Sequence, residues 1–260
     1  SAVDEAGNNP YKRILADRLY TIIKGRGGVT MATYSPRSEE VLAKNAGGYA
    51  TPDVIPSLEN LVDYKVFPSG YIGEGFSGGY DNFGYYTTSE SYLRNPIYNR
   101  FLHGLMAFKT DAKMVSAYAM GEIMNDPYND FDAKGEFIYP FTYPDFLFVY
   151  PTWSGRLVPT MSSEGIREGV KDARYIATLK RLIEENKDNL EKQAAAQEAQ
   201  AYLDSVKSQI SANYRGDYVQ QSEEHGFYEA IMDDVSGGGG FGGFSKVRRD
   251  VLDYILGLGG

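Results

Sequence analysis

Apolar residues return every three or four positions between Asn9 and Lys24. Ile14, Leu15, Leu19, Ile22 and Ile23 share one broad face, with Pro10 in the first turn, and this predicts a helix over 9–24 that Gly25, Gly27 and Gly28 end. Short apolar runs bounded by turn residues predict strands over 29–34, 63–67, 83–87 and 113–119. Between the last two, 92–108 reads as a helix with Leu102, Leu105, Met106 and Phe108 at buried positions. The segments 38–44 and 52–60 read as a helical turn and an irregular or helical connection. Strand, helix, strand, helix is the rhythm of a parallel α/β fold, and the long loops after the strands favour a barrel over a compact nucleotide-binding sheet.

The second half has a different texture. Residues 125–160 are rich in loops, aromatics and prolines, with a short strand expected over 146–150 and then the run PTWSGRLVPT. From Ser162 to about Leu190 the pattern is strongly helical. Ser162 or Ser163 is the expected cap, and Ile166, Val170, Ala173, Ile176, Leu179, Leu182 and Ile183 recur at helical spacing. An alanine- and glutamine-rich helix over 190–211 has a weaker apolar face, as expected of a solvated appendage or a contact surface for another chain. Residues 214–235 read as partly helical, GGGGFGG at 237–243 as a flexible break, and 246–256 as one last amphipathic helix.

Composition narrows the partners. A formal net charge of -9 disfavours nucleic acid, which needs a basic footprint. No apolar run reaches the length of a membrane span. The absence of cysteine excludes disulfides, thiolate metal sites and thiol nucleophiles, and the first residues, SAVDEAGNNP, lack the basic and apolar regions of a signal peptide. The 22 tyrosines offer flat apolar faces with a hydroxyl at the edge, which suit sugars as well as ordinary cores.

Several patterns fail on inspection. Gly73, Gly75 and Gly78 form a literal G-x-G-x-x-G, but the loop runs on through Gly79 to Asn82 towards a strand instead of opening a helix, so an active-site loop is the better reading. Asp130, Asp132 and Gly135 imitate part of a calcium loop whose twelfth position is Phe141 instead of glutamate. His103 and His225 have no partner set for a metal, and no cofactor is implied. Tyr34, Tyr85 and Tyr86 sit at candidate strand ends, where a barrel places substrate contacts or simply fills its core. Glu122 reads as a hydroxyl-binding or a solvated loop carboxylate, and Trp153 as a sugar platform or a packing residue. Arg100, with Asn99, is placed to anchor its helix. Glu164 and Arg167 are one helical turn apart and, with Asp172 and Tyr175, read as structural.

Three segments carry a family resemblance: Asp4-Glu5-Ala6 before a helix, GYYTTSESYLRNPIYNRFLHGLMAFK at 84–109, and FVYPTWSGRLVPTMSSEGIREGVKDARYIATL at 148–179. Together they resemble the C-terminal part of glycoside hydrolase family 123 and its uncharacterised relatives, TIM-barrel enzymes usually preceded by a β-sandwich. The resemblance implies that Glu5 is the general acid/base and that Asp4 steadies the 2-acetamido group of a terminal N-acetylgalactosamine. The acetamido oxygen would then attack the anomeric carbon in a substrate-assisted, retaining reaction. On physical grounds, a partly buried carboxylic acid can hold the proton a leaving group needs, and a converging neighbour raises its proton affinity. Adjacent strand residues point to opposite faces, so both carboxylates reach one substrate only where the strand ends or bulges.

A complete barrel takes about 250 residues and eight strand–helix units, whereas four or five are legible here. The fold expectation is therefore α/β: the C-terminal portion of a TIM-like (β/α) barrel over 1–189, incomplete in this chain, with a helical extension over 190–260. A carbohydrate substrate and a complementary polypeptide carrying upstream barrel strands are the expected partners, with enzymatic activity expected only when the rest of the barrel is supplied. The alternatives are a glycosidase of other sugar specificity, or a noncatalytic glycan-binding or structural assembly subunit. The glycosidase reading implies an extracellular or periplasmic location.

Overall fold

A computed structural model describes residues 10–33, 60–68, 82–87, 96–117, 121–122, 146–210 and 243–259. They belong to two compact units. The first spans Ser1–Thr88, Thr110–Ser116 and Ala212–Tyr218; the second spans Ser89–Lys109, Ala117–Ser211 and Val219–Gly260.

In the first unit, helix α1 (Pro10–Gly25) precedes strands β1 (Met31–Thr33), β2 (Tyr64–Pro68), β3 (Phe83–Thr87) and β4 (Met114–Ala117). The four strands form one parallel sheet in the order β1-β2-β3-β4, with Met31 opposite Tyr64 and Lys65 opposite Phe83. Adjacent Val66 and Phe67 are both buried, as in a strand covered on two faces. Ala16 and Tyr20 of α1 are buried too, and the Tyr20 hydroxyl donates to Met31 O at 2.9 Å. Asp63, at the mouth of β2, binds the Lys24 ammonium at 2.5 Å and accepts the Thr30 N–H at 2.8 Å. One carboxylate thus joins the end of α1 to the entries of β1 and β2. Gly84 is required by the closeness of β4: a Cβ there would lie 2.6 Å from Met114 O.

The second unit is mostly helical. Helix α2 (Pro96–Phe101) runs into a π-helical turn (Leu102–Met106) and then α3 (Ala107–Thr110). Two small antiparallel ribbons follow, β5 (Gly121–Glu122) with β6 (Phe146–Leu147), and β7 (Val149–Pro151) with β8 (Leu157–Pro159). The long helix α4 (Met161–Asn186) packs against α2, the π turn, α5 (Gln193–Gln209) and α6 (Gly243–Gly259).

Several expectations change. The run 146–150 is two strands in different ribbons, because the chain bends at buried Phe148. The segment read as the loop PTWSGRLVPT closes a hairpin: the Gly155 N–H donates to Thr152 O at 2.9 Å, and Gly155 has φ 74°, a conformation that glycine adopts without a Cβ penalty. The cap of α4 is Thr160, not Ser162 or Ser163; its hydroxyl accepts the Ser163 N–H at 3.3 Å. Helix α5 is no solvated appendage. Ala196, Ala199, Leu203 and Val206 form a buried stripe, and small alanines suffice because α4 and α6 approach closely. The segments 38–44, 52–59, 73–80 and 214–235 lie outside the described residues.

Candidate functional site

Tyr85 and Tyr86 are neighbours on β3 and therefore point to opposite faces. Tyr85 is fully buried, whereas Tyr86 is partly exposed. Trp153 stands at the tip of the β7–β8 hairpin, completely exposed. Glu122 pairs through its backbone with Phe146 in the β5–β6 ribbon, and its side chain is outside the described set. Asp4, Glu5 and Tyr34 also lie outside the described residues.

The residues that the structure does bring together are in the second unit. Asp172, with its side chain 6 % exposed, accepts hydrogen bonds from two arginines on two helices. Arg100 Nε on α2 donates to Oδ2 at 2.6 Å and its terminal nitrogen to Oδ1 at 3.2 Å. Arg248 Nε on α6 donates to Oδ1 at 2.6 Å. The remaining Arg248 nitrogens reach the Glu168 carboxylate at 2.8 Å and the Glu168 carbonyl at 3.1 Å. Aromatic rings complete the cluster: the Arg100 guanidinium lies 4.3 Å from the Phe244 centroid, and that of Arg248 5.8 Å from Tyr175. Glu164 and Arg167 pair on the exposed side of the same helix.

Lys171 and then Arg248 hold the Glu168 carboxyl down to about 2. Both Asp172 oxygens are engaged by guanidinium donors. The cleft beside it, lined in part by Leu105, Tyr175, Phe244 and Val251, has about 10 Å³ of interior space. That is room for about one water at most, and not for a sugar ring. The cluster is a clamp that ties α2 and α6 to α4.

Sequence reasoning missed Arg248 and Glu168. Glu168 and Lys171 carry the ordinary i,i+3 signal of a solvated helix face, and nothing local in 246–256 points Arg248 at a residue 76 positions away.

His103, in the π turn, is 5 % exposed, and its Nδ1 lies 3.0 Å from Asn99 O. Burial lowers its pKa from 6.5 to about 4, only partly offset by the Asn99 bond. The ring is therefore neutral at neutral pH. The unfolded imidazole takes up its proton near pH 6.5, the folded one only near 4. Acid thus favours the unfolded chain: the contribution is complete above about 6.5 and fades as the pH falls to about 4, by roughly 3 kcal/mol. Urea midpoints at pH 7, 5.5 and 4 should show this loss, and a His103→Gln variant should show much less of it. Equal pH dependence in the two proteins would assign the effect elsewhere.

No family model matches this chain, and no curated protein matches it either. Among the described residues, no group of three or more His, Asp or Glu is placed to hold a metal, and no helix is long and apolar enough to cross a membrane.

Proposed function

We propose that this chain is a component of a glycoside hydrolase, with Glu5 as general acid/base and Asp4 orienting the 2-acetamido group of a terminal N-acetylgalactosamine. One observation carries the reading furthest: the parallel sheet is wound in sequence order, β1-β2-β3-β4. A doubly wound nucleotide-binding sheet reverses its order at a switch point, whereas a (β/α) barrel adds each strand beside the previous one. In such a barrel the chemistry sits at the carboxyl ends of the strands. Tyr86, near the end of β3 and partly exposed, occupies that edge. The rest of the barrel would come from a complementary polypeptide.

The test is hydrolysis by the native assembly of an N-acetylgalactosaminide with an alkyl leaving group, which needs proton donation. Glu5→Gln should lower kcat/KM by about 10²–10⁴-fold, the usual worth of general acid catalysis. Replacing the acetamido group of the substrate by hydroxyl should be comparably damaging, because the attacking oxygen is lost. Unchanged turnover in Glu5→Gln would remove the assignment. Activity on the hydroxyl analogue would instead favour a glycosidase of other specificity.

The second reading, a noncatalytic glycan-binding subunit, is favoured by Trp153. A completely exposed tryptophan on a hydrogen-bonded turn is a preformed apolar platform. It is the only tryptophan in the chain, so its fluorescence reports any sugar that stacks on it.

A further inference from the structure

The loop between β7 and β8 displays two side chains that the fold does not use. Trp153 is completely exposed, so its large apolar surface adds nothing to the core. Arg156 is exposed as well, and among the described residues its guanidinium has no hydrogen bond or ion pair. It is the only charged residue between Phe146 and Ser163, so the net charge of -9 resides elsewhere in the chain. The first acid after the hairpin, Glu164, is engaged by Arg167.

The backbone beneath these two side chains is held in place. The Arg156 carbonyl accepts the Thr152 N–H at 3.0 Å and the Thr152 hydroxyl at 2.7 Å, and the Gly155 N–H donates to Thr152 O at 2.9 Å. Gly155, at φ 74°, closes this three-residue hairpin loop in the left-handed conformation. Both anchor points are therefore set before a ligand arrives, which lowers the ordering cost of binding. Three residues separate them, so their Cα atoms lie within about 11 Å, a span that one short oligosaccharide can bridge.

An indole face is an apolar platform, and a guanidinium is a planar fork of donors that matches an oxyanion. Around Trp153 the loop consists of Thr152, Ser154, Gly155 and Arg156, all polar or small. That setting suits a hydroxyl-rich ligand better than the interior of a lipid bilayer. We propose that this loop binds an acidic saccharide, with a sugar ring stacked on Trp153 and a carboxylate or sulfate group on Arg156. The inference rests on the glycan-binding reading of Trp153 and is independent of Asp4 and Glu5.

The test titrates the full chain with a galacturonic acid trisaccharide and with a sulfated galactose oligosaccharide. Each is set beside its neutral counterpart, the methyl ester and the desulfated form. Fluorescence of Trp153, the only tryptophan, reports binding, and calorimetry serves the variant that removes it. At least one acidic sugar should bind tenfold or more tightly than its neutral form, with the difference shrinking as salt rises. Arg156→Gln should erase that difference, Arg156→Lys should restore part of it, and Trp153→Ala should weaken the acidic sugar by about tenfold. Both side chains are exposed, so the circular dichroism of the variants should match that of the parent. Equal binding of acidic and neutral sugars, or an unchanged preference in Arg156→Gln, would overturn the acidic assignment and leave Trp153 as a neutral glycan platform. Silence towards all four sugars would remove both readings. A fluorescence shift with phosphatidylcholine vesicles and with none of the sugars would replace them by a lipid contact.

Discussion

Asp172→Ala is expected to destabilise the chain by about 3–5 kcal/mol, the usual cost of removing one partner from a buried ion cluster. The size follows from what remains. Arg100 and Arg248 both donate to this one carboxylate, and without it two guanidiniums face each other with too little water to screen them. Glu168 does not replace it, because it is held on the far side of Arg248 and by Lys171. Asp172→Asn keeps the volume but loses the charge, so its cost should be smaller and of the same sign. The triple variant Arg100→Met, Asp172→Leu, Arg248→Met should recover much of the loss, since apolar groups of similar volume carry no desolvation penalty. Urea unfolding of the four proteins measures this. A change below about 1 kcal/mol for Asp172→Ala would mean that the cluster is solvated and the clamp is not what ties the helices together.

The second large effect comes from glycine. Gly165 and Gly169 lie on one face of α4, and a Cβ at Gly165 would stand 2.2 Å from Pro96 O, one at Gly169 2.5 Å from Arg100 O. The obstacles are backbone atoms of α2, which cannot swing aside like a side chain. From the other side, a Cβ at Gly104 in the π turn would lie 2.9 Å from Gly169 O. Helix propensity alone would reward glycine to alanine by about 1 kcal/mol. Close backbone contact reverses the sign, because α2 must move and the Arg100–Asp172 geometry moves with it. Gly169→Ala should therefore destabilise by about 3 kcal/mol, the upper range for overpacking. Gly257→Ala is the internal control: its added methyl meets nothing within 4 Å, and it should gain up to about 1 kcal/mol. Thermal midpoints that rise in both variants would show that α2 and α4 do not touch as described.

These two effects explain why the buried side of α4 was only half legible. The apolar spacing picks out Ile176 and Leu179, which are buried, and Val170, which is 37 % exposed. The buried face of the first half is instead Ser162, Gly165, Gly169 and Asp172. Hydrophobic periodicity weights large apolar side chains, while this face is selected for smallness and for one charge that its partners neutralise. The alanines of α5 misled in the same way: they read as a weak face in isolation and are the seam of a close helix contact.

Where information is local, the sequence alone sufficed. The span of α1, the strand at Phe83–Thr87, the long helix near 161–186 and the Glu164–Arg167 pair all follow from spacing within one or two turns or strand lengths, but the buried face of α1 is Ala16 and Tyr20, while Ile14, Leu15 and Ile22 of its apolar face are half exposed. Only the tertiary structure decided the order of the sheet, the division of 146–150 between two ribbons, and the meeting of Arg100 and Arg248 on Asp172. Those partners are 72 and 76 residues apart. Their pairing depends on how closely α2 and α6 approach α4, a distance that no local pattern of charges or apolar residues encodes.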